Sequence, residues 1–347
     1  MIKMYYEWYF ACVVDLEEHT YLPGFMREPF FQNVCNGNLQ GKGFSNSTKI
    51  QTKCHFVHHF NPFTILGPFH IEVQFYQPFR TIIHDFFTEN EMDWMMTFSK
   101  PRLSASRAGT IPESTKQLST SERRYGTGKG ITVSKAVTAW FNDINYTEKE
   151  QYTRISAEGA PLRYDISPLK DPYNYTILHK VMYDVSQRME RATQFNVTSR
   201  HGASLYQSTN YGLSGMVNQH LDPWGYEMGV QIPEDRRVLV RTGDYIATFM
   251  GWFEDTAGGG GTAFFPLNPE DKGFESVVMP TKGSAAFWIN LASCHVKDYR
   301  AFHAGCPVLK GSKWILNKWI YSWDQWKAWP CDMERARTIL PFAGMSS

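Results

Sequence analysis

No apolar run in the 347-residue sequence approaches the roughly 20 residues that a bilayer-spanning helix requires. Neither charge is in excess, since 35 Lys+Arg stand against 34 Asp+Glu for a net charge of +1. The basic footprint of a polyanion-binding protein is therefore missing, and nucleic acid is not an expected partner. Cysteine is scarce, with 6 residues and no C-x-x-C pair. That excludes the dense disulfide scaffold of small secreted domains and the common zinc-binding spacings. The sequence shows no internal repeat. Aromatics are plentiful: 11 Trp, 18 Tyr and 24 Phe make up 15% of the residues, and 42% of the chain is hydrophobic. So much ring surface must be buried, which excludes a disordered chain and suits one large folded domain or two modest ones.

The cysteines and sequons bear on compartment. Cys35 and Cys54 flank a polar, Gly/Asn/Ser-rich stretch, Cys306 and Cys331 bracket the last strand-like segments, and Cys12 and Cys294 have no obvious partner. Spacing alone leaves the pairing open. Sequons occur at Asn46, Asn145, Asn174 and Asn196. Together these features favour an oxidising, secretory lumen over the alternative of a cytosolic protein with chance sequons. The apolar stretch from Trp8 to Val14 is too short for a good signal peptide. A start at Met1 that is incomplete would reconcile the two.

Local patterning predicts helices before strands. Thr88 and Glu91 form a capping box ahead of Met92, Met95 and Met96, with Pro101 as the stop, so a helix is expected over 88–99. Residues 102–132 read as loop, and Ser134 to Phe141 as a short helix carrying Trp140. A longer helix is expected over 174–193, with Leu178, Val181, Met182, Val185 and Met189 on one side. Beyond Val197, period-two runs at Tyr245 to Trp252, Ser284 to Leu291 and Lys313 to Tyr321 read as strands. The order implies an α+β chain with a C-terminal sandwich or jelly roll.

The chemically informative stretch is His220-Leu221-Asp222. Residues i and i+2 of a strand share a face, so this imidazole and carboxylate can converge on one ion. Downstream, His303 opens the run His303-Ala304-Gly305-Cys306-Pro307-Val308, followed by Lys313. Two histidines and one carboxylate form the facial set that holds Fe(II) with positions left open. A lysine on the next strand can meet the distal carboxylate of a dicarboxylic cosubstrate. His70-Ile71-Glu72 reads as a surface strand pair, and His55, His58, His59, His179, His201 and His295 as ordinary structural or surface histidines. A zinc hydrolase could use the same donor set, but no motif supplies its general base.

These residues resemble the catalytic region of animal prolyl 4-hydroxylase α subunits, within the Fe(II)/2-oxoglutarate dioxygenases. The likeness runs through Lys100-Pro101-Arg102-Leu103, Asn210-Tyr211-Gly212, His220-x-Asp222, Ile246-Ala247-Thr248, Gly260-Gly261 with Phe265-Pro266, Lys282-Gly283, Phe287-Trp288, Asn290-Leu291, His303-Ala304, Cys306-Pro307-Val308, and Gly311 with Lys313-Trp314 and Asn317-Lys318-Trp319. The resemblance implies a double-stranded β-helix (jelly-roll) core flanked by N-terminal helices. It casts His220, Asp222 and His303 as iron ligands, Lys313 as the partner of the C5 carboxylate of 2-oxoglutarate, Tyr211 as its neighbour, and Trp288 as an aromatic on the peptide side. It pairs Cys35 with Cys54 and Cys306 with Cys331. The implied reaction hydroxylates C4 of a peptidyl proline in collagen-like or proline-rich chains, with 2-oxoglutarate and O2 as cosubstrates and L-ascorbate as reductant. The implied setting is the endoplasmic reticulum lumen, with protein disulfide isomerase as partner.

On this resemblance residues 1–60 form an extension with a disulfide loop, 61–336 the catalytic domain and 337–347 a tail. Helical support is expected over 80–200 and the jelly roll over 200–325. The long N-terminal region of typical α subunits is not expected here, as in short invertebrate forms. Three positions depart from the family pattern. Val217 stands for a tyrosine beside the substrate proline, Gln219 for a proline, and Ala263 for a threonine near the cosubstrate carboxylate, with Thr262 one place earlier. A one-residue slip puts a strand side chain on the opposite face, so Thr262 is not expected to substitute without a bulge. The departures leave room for another protein substrate, or for a catalytically weakened binding or assembly subunit.

Overall fold

The computed structural model describes residues 53–58, 62–76, 78–105, 134–141, 172–199, 201–223, 243–264, 276–291 and 297–329. Strands β1 (Lys53–Val57), β2 (Phe69–Tyr76) and β3 (Phe79–His84) come first, with a short helix α1 (Pro62–Leu66) between β1 and β2. Helix α2 (Glu89–Ser99) begins at the expected box. The Thr88 hydroxyl accepts from the Glu91 backbone N–H, and the Glu91 carboxylate accepts from the Thr88 N–H. Strands β4 (Ser104–Ala105), β5 (Ser134–Lys135) and β6 (Val137–Phe141) precede helix α3 (Pro172–Thr193). The remaining strands are β7 (Tyr206–Tyr211), β8 (Met216–His220), β9 (Tyr245–Trp252), β10 (Gly258–Gly259), β11 (Thr262–Phe264), β12 (Ser276–Val278), β13 (Ala285–Ile289), β14 (His303–Gly305), β15 (Val308–Lys310) and β16 (Lys313–Tyr321).

Two antiparallel sheets face each other. The larger runs β1-β2-β3-β13-β9-β16-β7-β6-β4 and the smaller β12-β11-β14-β8-β5. From β7 onward the chain crosses repeatedly between them: β7 in the large sheet, β8 in the small, β9 in the large, β11 in the small, β13 in the large, β14 in the small, β16 in the large. That alternation is the double-stranded β-helix. Strand periodicity sorts neighbouring residues into two cores. Phe249, Phe287 and Leu316 point outward to the helices, whereas Met250, Trp288 and Ile315 point into the space between the sheets. All eight residues of β9 are consequently buried.

Helix α3 presents Leu178, Met182, Val185, Met189 and Ala192, a 4-3-4-3 spacing, to the outer core. Arg188 grips both carboxylate oxygens of Glu91 at 2.7 and 2.8 Å, tying α3 to α2. Ser99 bonds Ser208 at 2.8 Å and so fastens α2 to β7. Close approach is built in where Gly251 meets α2's lead-in: a Cβ there would lie 2.2 Å from the Phe87 ring.

The helices and the three later strands fall where the sequence places them, but Ser134 to Phe141 is strand rather than helix. Val137, Thr138, Trp140 and Phe141 are β-branched or aromatic, and β6 finds an edge to pair with along β7. The loop reading over 102–132 falls mostly outside the described residues. Cys54 carries a free, exposed thiol opposite Glu72 on β1, and Cys35, its expected partner, lies outside the described residues. Cys306 is disulfide-bonded, and Cys331 lies outside the described residues. Asn46 and Asn145 also lie outside them, while Asn174 sits in the first turn of α3. Asn196 departs from the exposed acceptor its sequon suggests. Its Nδ2, the atom a glycan would need, donates to Asp324 at 2.8 Å, and its Oδ1 accepts from the Ser199 N–H.

Candidate active site

The inner face of the jelly roll brings His220, Asp222 and His303 together, with one ligand atom from each within 4.8 Å of the others. Asp222 Oδ1 lies 3.5 Å from His220 Nε2, and Asp222 Oδ2 lies 3.8 Å from His303 Nε2. The two imidazole rings are 4.4 Å apart. Antiparallel pairing supplies this convergence, because His303 on β14 sits directly opposite His220 at the end of β8. Between His303/His220 and Gly305/Val217 the pairing slips by a residue. A bulge of this kind re-aims side chains, so Val217 also joins the inner core although it lies an odd number of residues from His220. Gly305 makes the room, since a Cβ on it would stand 2.9 Å from Val217 Cγ1.

Two of the donors, His303 and Asp222, are oriented from behind. The Ala301 carbonyl lies 2.9 Å from His303 Nδ1, which fixes the proton there and leaves Nε2 as a lone pair facing Asp222. Burial pushes the His303 pKa down to about 4, so the ring is neutral near pH 7, as a ligand must be. Thr248 on β9 donates to Asp222 Oδ2 at 2.5 Å and accepts from Asn290 Nδ2 at 2.8 Å. Burial alone would raise the Asp222 pKa; the neighbouring histidines and the Thr248 hydroxyl outweigh it and hold the carboxylate ionised. A neutral His303 imidazole, the His220 ring and an ionised carboxylate at this spacing fit a single divalent ion with open positions. Thr248 and Asn290 had no role assigned from sequence. For Thr248 the available signal was a polar residue within an otherwise apolar strand; Asn290 follows directly on the end of β13.

Lys313 opens β16 and points into the same space. It is 3% exposed, its Nζ donates to Thr262 at 3.2 Å, and it lies 5.7 Å above the Tyr211 ring. Lys313 and Tyr211 are cross-strand partners. No carboxylate faces the ammonium among the described residues, and burial lowers its pKa to about 7. Thr262 therefore occupies the place expected to be lost. The run Gly258 to Gly261 conceals the register: Gly259 and Gly260 both take φ near +70°, and β10 slips against β15 at Gly258/Gly259. Those turns aim Thr262 and Phe264 inward, and Ala263 stands between them on the other face.

Trp288 lines the space on the opposite flank, 4.9 Å from the His303 ring and 5.4 Å from Phe264. His70-Ile71-Glu72 stays away from the site, as expected: Glu72 pairs with His84 at 2.9 Å on the β2–β3 ribbon. The side chain of Gln219 lies outside what the structure describes.

Comparison with known proteins follows the same line. No protein-family model matches the chain. It is 29% identical over 273 residues to prolyl 4-hydroxylase subunit alpha-1 of Rattus norvegicus, covering 79% of this chain and 40% of that protein. It is 38% identical over 141 residues to subunit alpha-2 of Gallus gallus, covering 41% and 23%. Against subunit alpha-2 of Caenorhabditis elegans it is 26% identical over 315 residues, covering 90% and 46%. The chain thus spans less than half the length of these curated relatives. Among solved structures, the 2OG complex of a viral collagen prolyl hydroxylase from Paramecium Bursaria Chlorella virus-1 aligns with TM-score 0.41 and 16% identity, over 72% of this chain and 97% of that one. A Pseudomonas putida prolyl-4-hydroxylase aligns with TM-score 0.33 and 10% identity, over 70% and 91%.

Proposed function

We propose that this relative of the prolyl 4-hydroxylase α subunits is an Fe(II)- and 2-oxoglutarate-dependent enzyme that hydroxylates peptidyl proline at C4 in collagen-like or other proline-rich chains. The observation that carries the reading is Lys313. A buried ammonium without a counter-ion is expensive to keep, and a site that keeps one beside a two-histidine, one-carboxylate set has an anion to receive. A diacid whose one end reaches the metal and whose other end reaches Lys313 satisfies both.

In this reading His220, Asp222 and His303 hold the iron. An iron held there would supply the coupled chemistry in which O2 oxidises 2-oxoglutarate to succinate and CO2 and hydroxylates the substrate C–H, one oxygen atom going to each. The chain's own work is positioning. Lys313, Thr262 and Tyr211 bind the distal carboxylate and set the cosubstrate's angle. Thr248 and Asn290 hold Asp222 in one orientation, and the Ala301 carbonyl fixes the His303 tautomer. Phe264 and Trp288 wall the substrate side and exclude water. Val217, packed over Gly305, is the residue we assign to the proline's immediate surroundings. L-ascorbate would serve as the reductant that keeps such an iron ferrous. We place the chain in the endoplasmic reticulum lumen with protein disulfide isomerase as partner, and assign Cys331 as the disulfide partner of Cys306.

The test is an incubation of the purified protein with Fe(II), 2-oxoglutarate, ascorbate and a (Pro-Pro-Gly) repeat, with and without protein disulfide isomerase. Succinate formed in step with the mass gain of one oxygen per peptide supports the reading. Succinate with no change on any proline peptide points to another substrate, and binding of metal and 2-oxoglutarate without turnover points to a binding or assembly subunit.

A further inference from the structure

A second buried cation faces the same interior from the opposite flank. Arg80 on β3 is the cross-strand partner of Trp288 on β13, and the neighbouring pair Ile82 and Ala286 lies in the inner core on the same face. The residue is 4% exposed. Its guanidinium lies 4.0 Å above the Phe264 ring and 5.5 Å from Phe75. Its Nε and one terminal nitrogen are buried without a hydrogen-bond partner, and so is the indole Nε1 of Trp288. Phe264 and Trp288 both touch the His303 ring, at 5.7 and 4.9 Å between centroids. The orphaned donors therefore sit one aromatic side chain away from the metal site.

We propose that Arg80 and the Trp288 indole N–H form a carboxylate-binding subsite for the polypeptide substrate, engaging an acidic side chain near the target proline or the substrate's chain end. The proposal rests on the site being that of a peptidyl-proline hydroxylase. Three features select the ligand. The unsatisfied groups are all donors, so the missing partner is an acceptor. One of them is a guanidinium, whose planar fork matches a carboxylate and which stays protonated at neutral pH although burial lowers its pKa to about 9. Among the described residues no carboxylate pairs with it, and buried polar groups in native proteins are seldom left bare. The cosubstrate does not reach both cations. β3 and β16 are separated by β13 and β9, three strand spacings or roughly 14 Å across the sheet, and the register sets Arg80 level with Trp319, six residues along β16 from Lys313. Lys313 and Arg80 thus recognise two different anions, one on the cosubstrate and one on the peptide.

The experiment measures peptide binding by calorimetry to the protein loaded with Mn(II) and 2-oxoglutarate without O2. It uses proline peptides in matched pairs: Glu against Gln beside the proline, and a free C-terminus against an amide. We expect one acidic member to bind about 10- to 100-fold more tightly than its neutral twin, the range for hydrogen bonds to a charged group. The pair that shows the preference tells side chain from chain end. Arg80→Gln should bring that ratio to about one, and Arg80→Lys should keep part of it. Equal binding of both twins by the unaltered protein overturns the proposal, as does a preference that survives Arg80→Gln; either leaves Arg80 as a stacked structural residue. If no proline peptide binds while 2-oxoglutarate does, the prolyl reading itself falls and takes this inference with it.

Discussion

Replacing Lys313 with methionine should move stability and cosubstrate affinity in opposite directions. Methionine keeps the length and apolar stem of lysine and removes only the charge, so packing around Ile315 and Tyr211 is largely preserved. Burial lowers the ammonium's pKa from 10.5 to about 7 with no compensating carboxylate. At ~1.4 kcal/mol per pH unit, the folded, ligand-free protein bears a penalty on the order of a few kcal/mol near neutral pH. Lys313→Met relieves it, so the ligand-free melting temperature should rise by several degrees. Binding should suffer, since losing one partner of a buried charge pair costs about 2–5 kcal/mol, a fall of roughly 30-fold or more in 2-oxoglutarate affinity. Differential scanning fluorimetry without ligand and calorimetry with 2-oxoglutarate and Mn(II) read the two effects. A variant that melts lower and binds 2-oxoglutarate as well as the parent would refute both the penalty and the assignment.

The same group predicts a pH dependence. The unfolded chain holds the lysine proton up to about 10.5 and the folded ligand-free pocket releases it near 7. Between those values unfolding takes up a proton, so this group's contribution to stability rises with pH, and below about 7 the full penalty applies. A dianion selects the protonated form, so 2-oxoglutarate affinity should fall as pH rises above about 7, at most tenfold per pH unit; a flat profile from about pH 6 to 9 contradicts it. Thr248→Val strips Asp222 of its hydroxyl donor, and Mn(II) affinity followed by electron paramagnetic resonance should drop about 10- to 100-fold. Gly251→Ala drives a methyl into the Phe87 ring and should destabilise the fold by about 1–3 kcal/mol in urea, with Phe87→Leu restoring part of the loss.

What was legible in the sequence had a local cause. The capping box at Thr88 and the 4-3-4-3 spacing of helix α3 are read within one segment. His220 and Asp222 lie two residues apart, and His303 and Lys313 occur in motif-like runs. What was missed depends on which strand lies beside which. The segment from Val137 becomes strand because β7 offers it an edge. Thr262 faces inward because two left-handed glycines shift its register, and a run of four glycines does not say where the shift falls. Arg80 and Thr248 are buried polar residues within strands and Asn290 directly follows one, and their roles appear only once β3, β13 and β9 are paired.

Strand β16 is the last described strand in sequence, yet it lies in the middle of the large sheet between β9 and β7. Until it is synthesised and inserted, those two neighbours present bare main-chain edges to each other's solvent, the condition under which nascent chains stick together. The same late arrival delivers Lys313, so the inner site reaches its full set of described residues only then. Maturation of this protein is thereby staked on shielding an open, aromatic-rich sheet during the interval before closure, and a helper that binds unfolded chains would act at that moment.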